Sequence, residues 1–136
     1  MSERNVEIVR RGYEHFAATG ELSLDRTHPE FVWDMSKFSG WPEQQIYEGI
    51  DGAQAFLGSW LEAWDDWAVE LDSLHDAGDK VVAVVRQHGR SKGTGVAVDM
   101  TFAQVWTITD GLQARMVMYA DPAEALAAAG LSAGER

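Results

Sequence analysis

The chain has 136 residues, 46% hydrophobic and 24% charged, with a formal net charge of −11 and no cysteine. That composition supports one globular core but not two, so a single domain over 1–136 is expected, without disulfides or thiolate chemistry. The acidic balance, with no offsetting Lys/Arg cluster, argues against nucleic acid and anionic membrane as partners, and apolar runs of only a few residues argue against a membrane span.

Met1-Ser2-Glu3-Arg4-Asn5 has no apolar stretch of the secretory kind, so a cytoplasmic location is expected. From Glu3 to Ala18, Val6, Val9, Tyr13, Phe16 and Ala17 recur at helical spacing, with Arg10, Arg11 and Glu14 on the other side. Thr19-Gly20 closes this helix, the glycine suiting a left-handed C-terminal position. Leu22 to Thr27 is expected to form a helical turn that His28-Pro29 breaks, followed by a strand from Phe31 to Ser36. Residues 37–49, with Gly40, Trp41 and Pro42, read as a loop. Asp51, with Gln54 three residues on, predicts the capped start of a second helix carrying Ala53, Phe56, Leu57, Trp60, Leu61 and Trp64 on one stripe.

After Asp65-Asp66 the apolar period changes to two. Trp67, Val69 and Leu71 alternate with Ala68, Glu70 and Asp72 as on a half-exposed strand. Strands over Val81 to Arg90, Val96 to Thr109 and Leu112 to Ala120 are expected next, joined by turns at 77–80, 91–95 and Asp110-Gly111. The last is the strongest hairpin signal in the chain. Asp121-Pro122-Ala123-Glu124 then opens a final helix with its cap, first-turn proline and capping-box glutamate, and Gly130 closes it. Consecutive strands with short connections should pair antiparallel, with the early helices covering one face. The fold class expected is therefore α+β, a curved antiparallel sheet wrapped around N-terminal helices with a ligand cavity at its open end.

Five segments resemble the nuclear transport factor 2-like superfamily, and within it the SnoaL-like group. They are Val9-Arg10-Arg11-Gly12-Tyr13-Glu14-His15-Phe16 with Gly20-Glu21-Leu22; His28-Pro29-Glu30-Phe31-Val32-Trp33; Tyr47-Glu48-Gly49-Ile50-Asp51-Gly52; Phe102-Ala103-Gln104-Val105-Trp106-Thr107 before Asp110-Gly111; and Tyr119-Ala120-Asp121-Pro122. The superfamily includes ketosteroid isomerases, polyketide cyclases, epoxide hydrolases, dehydratases and non-catalytic binding domains, so the resemblance implies a cone-shaped fold without choosing a reaction. An isomerase of this kind uses an aspartate base, a tyrosine and a protonated aspartic acid. Tyr13 matches the tyrosine, but the base position falls on Met35 and the acid position on Ala103. With one of three kept, a ketosteroid isomerase is not implied.

The same resemblance implies a cavity wall of Val84, Arg86 and His88; Asp99, Thr101, Ala103 and Val105; Met116, Met118 and Ala120; with Trp33 and Met35. Phe102, Gln104, Trp106, Val117 and Tyr119 would then make an apolar outer face, which a homodimer would cover. On that wall His88 and Asp99 are candidates for proton transfer and Arg86 for charge pairing, or all three form a solvated ion pair at the rim. Tyr13 is a candidate to polarise a substrate oxygen, or else a core tyrosine. Asp34, among apolar neighbours, is a candidate base, or else a strand carboxylate turned to solvent, and a one-residue register error would exchange these readings. Trp33, Met35, Arg86, Thr101, Met116 and Met118 are the candidate substrate-binding residues, while Asp121 is explained as a helix cap. His15, His28 and His75 share no ligand spacing, so no metal and no cofactor is expected. The function expected is binding of a small hydrophobic metabolite. It comes either with cofactor-independent isomerase, cyclase or dehydratase chemistry on a carbonyl compound, or as a non-catalytic binding domain.

Overall fold

The computed structural model describes residues 3–19, 21, 24–38 and 46–131. In chain order these form α1 (Glu3–Thr19), a 3-10 turn (Leu24–Arg26), β1 (Thr27–Asp34), β2 (Ile46–Glu48), α2 (Gly49–Glu62), β3 (Trp64–Ala77), β4 (Lys80–Ser91), β5 (Ala97–Thr109), β6 (Leu112–Tyr119) and α3 (Pro122–Ala128). The strands make one open, six-stranded sheet in the order β2-β1-β6-β5-β4-β3. The four consecutive strands pair antiparallel as expected. β1 instead lies parallel to β6, so the sheet is mixed.

Local chemistry explains most of the boundaries. Asp110 and Gly111 have φ of 53° and 80°, the left-handed pair that a two-residue hairpin turn needs. Asp121 accepts a hydrogen bond from the Ala123 N–H at 3.0 Å and caps α3. Four local expectations are corrected. The N-cap of α2 is Glu48, without a side-chain cap bond, and Asp51 falls within the first turn, where its charge still suits the helix dipole. His28-Pro29 lies inside β1 rather than before it, and Trp64 starts β3 instead of ending the α2 stripe. The stretch read as a loop contains β2, while Gly20, Gly40, Trp41 and Pro42 lie outside the described residues.

The largest correction concerns the sheet faces. An unbroken hairpin from Asp110-Gly111 would set Ala103 opposite Met118 and Val105 opposite Met116. The structure pairs Gln104 with Met118 and Trp106 with Met116, because the register shifts between Thr107 and Ile108 and leaves Ala114 as an extra residue on β6. A bulge of one residue reverses the facing of the partner strand from there on. Phe102, Gln104 and Trp106 therefore face the helices with Val85 and Gln87. Ala103, Val105 and Val82 turn to the opposite face, where Ala125 and Leu126 of α3 pack on them.

The main core lies between the sheet and the first two helices. Val9 of α1 and Ala53, Phe56 and Leu57 of α2 meet Phe31, Trp33, Val85, Phe102, Trp106 and Met116 of the sheet. Phe102, Gln104 and Trp106, the bulkier part of the outer face that motivated a homodimer, thus belong to the inner wall of the domain, while Val117 and Tyr119 stay outside with Val105 and Ala103. The residues actually opposite are partly roofed by α3, and a homodimer no longer follows from exposed aromatic surface. β3, at the open end of the sheet order, carries two register shifts and a run of Asp and Glu residues, both of which discourage edge-to-edge association.

Candidate functional site

A cavity of about 80 Å³ opens between the helices and the sheet. α1 contributes Gly12, Tyr13 and Phe16, and α2 contributes Phe56, Leu57 and Trp60. The sheet supplies Trp33, Trp67, Gln87, Phe102, Gln104, Trp106, Gln113 and Met118 among others. Aromatic rings brace one another around it. Trp106 stands edge-on to Tyr13 at 5.9 Å and to Trp33 at 6.5 Å, and stacks with Phe31 at 6.0 Å.

Polar groups on this wall are few and mostly amides. The Tyr13 hydroxyl donates to Gln104 Oε1 and accepts from the Trp106 indole N–H at 3.0 Å. Trp67 Nε1 donates to Gln87 Oε1 at 3.0 Å, and Trp33 Nε1 reaches Met35 Sδ at 3.2 Å. Among the described lining residues none is Asp, Glu, His, Lys or Arg. Tyr13 is the one ionisable group there, and burial pushes its phenol far above the ordinary value, against the opposing pull of the Trp106 hydrogen bond. It is a neutral donor and acceptor throughout the physiological range.

The expected site residues divide sharply. Tyr13, Trp33, Met35 and Met118 line the cavity, and Met116 is buried in the core beside it. Arg86, His88, Asp99 and Thr101 do come together, with His88 opposite Asp99 and Arg86 opposite Thr101 in the β4–β5 register, but on the other face of the sheet. Their expected place in the cavity is corrected, and the physical cause is the bulge at Ala114. There Glu70 of β3 pairs with Arg86 at 3.3 Å and lies 3.5 Å from His88 Nε2, all on half-exposed side chains. The Arg86 guanidinium and, after it, His88 hold the Glu70 carboxyl below its usual value. The group is solvated, as in the ion-pair alternative, but its acid is Glu70 rather than Asp99. It lies across the sheet from the cavity instead of at its rim, beside an open groove lined also by Asp66 and Arg90.

Asp34 is also outside the cavity. It is 5% exposed, alternates away from Trp33 on β1, and accepts from Ser36 N–H, Ser36 Oγ and Arg115. Burial pushes its carboxyl up, but the Ser36 hydrogen bonds and then Arg115 outweigh that and hold it below its usual value. Its carboxylate is held by the turn at Ser36 and the ion pair with Arg115. Among the described residues no cluster of three or more His, Asp or Glu is arranged to hold a metal ion.

Gln87, Gln104, Gln113, Phe102 and Trp106 are the wall residues that sequence reasoning placed elsewhere or passed over. A signal was available: the bulky alternation Phe102/Gln104/Trp106 is a better inner face than Asp99/Thr101/Ala103, because charge belongs in water and aromatic area belongs inside.

The first two helices seated on one face of an open mixed sheet, with an aromatic pocket between them and the strands, define the α+β cone of nuclear transport factor 2-like proteins. The chain belongs to the SnoaL-like domain family, whose model matches residues 9–116. Among solved structures it is similar to a protein from Jannaschia sp. CCS1 described as a SnoaL-like polyketide cyclase, at 24% identity and a TM-score of 0.73, covering 99% of this chain and 95% of that one. It is similar to TerC co-crystallised with polyporic acid, at 21% identity and a TM-score of 0.72, covering 88% and 92%. A third, from Catenulispora acidiphila DSM 44928, has a ketosteroid isomerase-like fold and was solved with trimethylamine. It is 16% identical with a TM-score of 0.66, covering 96% and 97%. No curated protein matches the chain.

Proposed function

We propose that the protein binds a small, uncharged, ring-bearing metabolite in the Tyr13–Gln104–Trp106 pocket, and that recognition rather than acid–base turnover is its work. The observation that carries this reading is the wall itself: aromatic rings and amides, with no described lining residue able to exchange a proton near neutral pH. A charged ligand would be buried there without a counter-ion, at a cost of several kcal/mol. Rings can stack, and an oxygen on the ligand can accept from the Gln104 amide N–H, which the Tyr13 hydroxyl orients by donating to Gln104 Oε1. An empty apolar cavity of about 150 Å³ is enough to hold benzene. The cavity of about 80 Å³ thus suits a compact ligand that nudges side chains aside. That TerC was crystallised with polyporic acid is in keeping with a small organic molecule in this fold.

The isomerase, cyclase or dehydratase alternative needs a proton-moving partner for Tyr13. The candidates for it, Asp34, His88 and Asp99, lie across the sheet from the cavity. A thermal-shift screen of neutral ring compounds against matched carboxylates tests the proposal. Neutral compounds are expected to raise Tm, mass spectrometry to find them unchanged, and Tyr13→Phe to weaken oxygen-bearing hits about tenfold. Preference for carboxylates, or turnover that His88→Ala abolishes, would overturn it.

A further inference from the structure

Gln113 of β6 lines the pocket and is 2% exposed. Its Nε2 makes a long 3.4 Å hydrogen bond to Thr27 Oγ1, while its Oε1 is buried with no hydrogen-bond partner. Buried acceptors are almost always satisfied, so an orphan in a pocket wall points to a group that completes it. Directly over this oxygen sits Gly12 of α1, where an added Cβ would come within 3.0 Å of Gln113 Oε1. A glycine inside a 17-residue helix weakens that helix relative to alanine. Here the missing side chain is what leaves the amide end of Gln113 free to turn about its broad terminal torsion.

We infer that Gln113 Oε1 is a second polar anchor of the pocket, accepting a hydrogen bond from a hydroxyl or N–H on the ligand, with Gly12 as the residue that keeps room for it. The inference rests on the ligand-binding reading and narrows its class. The ligand is a hydroxylated or amino-bearing ring compound, and neither a plain hydrocarbon nor a compound with acceptors alone satisfies the wall. Gln113 meets the donor, while the Tyr13 and Gln104 pair meets another oxygen.

Isothermal titration of the full chain with 4-ethylphenol and 4-ethylanisole tests this, since the two share a ring and differ in whether the oxygen can donate. The wild type is expected to bind the phenol about tenfold more tightly. Gln113→Met is expected to bring that ratio close to one. Gly12→Ala, whose methyl would press on Gln113 Oε1 at 3.0 Å, is expected to lower the same ratio while 4-ethylanisole binds as before, a split that a purely structural role does not produce. If Gln113→Met binds both probes with the ratio unchanged, the anchor is overturned, the oxygen holds an internal water only, and the ligand-binding reading stands. Should Gln113→Met not fold, an unchanged ratio in Gly12→Ala overturns the anchor by itself. Failure of the wild type to bind either probe overturns both the anchor and the reading beneath it.

Discussion

Gln104→Glu is expected to lose about 3–4 kcal/mol of stability at pH 8 and to recover most of it near pH 5, because a carboxyl at that position is buried among rings and its pKa rises by up to a few units. The sign follows from linkage. A carboxyl with a raised folded value stays protonated, and so harmless, below the unfolded value near 4.3, and the penalty grows as pH climbs from there through the folded value. The protonated acid has nearly the shape of the amide it replaces and can still meet the Tyr13 hydroxyl. Urea unfolding at the two pH values measures the effect. Thr101→Glu is the control: Thr101 is exposed, faces Arg86 across the ladder, and should change stability by no more than about 0.5 kcal/mol. Equal, small effects at both positions would mean that Gln104 does not face the helices.

Trp106→Ala is the larger change in packing. The ring is 5% exposed, touches Tyr13, Phe31 and Trp33, and gives Tyr13 its hydrogen bond. Truncating a buried tryptophan costs about 3–5 kcal/mol through lost burial and the void left behind. That is about a fifth or more of the roughly 5–15 kcal/mol by which a domain of this size is stable. The void joins the existing cavity, so saturating a small apolar compound such as indole should restore part of the loss by mass action. A urea midpoint within error of wild type would show that Trp106 is not the keystone of the aromatic wall.

What could be read from the residues depended on how local the signal was. Asp110-Gly111 and Asp121-Pro122 encode their own geometry in side-chain chemistry and positive φ, and both were legible. The alternation of β3 and the stripe on α1 were equally plain. β2 is three residues long and holds no periodicity, and the parallel pairing of β1 with β6 joins segments about eighty residues apart, so neither has a local signature. The site failed for a sharper reason. Strand parity is a binary quantity, and the single extra residue at Ala114 inverted it across β5 and β4, exchanging Asp99 and His88 for Phe102, Gln104 and Gln87. Bulges have weak sequence signals. The composition of the two candidate faces was the better guide, since it set aromatic area against ions.

The same inversion decides the chemistry. With Arg86, His88 and Asp99 inside, the cavity would be an acid–base site. With Phe102, Gln104 and Trp106 inside, its described lining carries no charged side chain, and the Tyr13 hydroxyl keeps its proton, which is what the proposed binding role rests on. The stabilising effect of that neutral phenol is complete below about pH 10, the ordinary tyrosine value, and is lost as pH rises from there toward the raised folded value.

Because the chain has no cysteine, one thiol can be placed at will and its exposure timed. Labelling of Thr101→Cys and Gln104→Cys with a thiol reagent reads the facing of β5 without any ligand. Thr101→Cys should react at close to the rate of an unfolded peptide, and Gln104→Cys about 100-fold more slowly, waiting on local opening. Fast reaction at position 104 with protection at 101 would contradict the account.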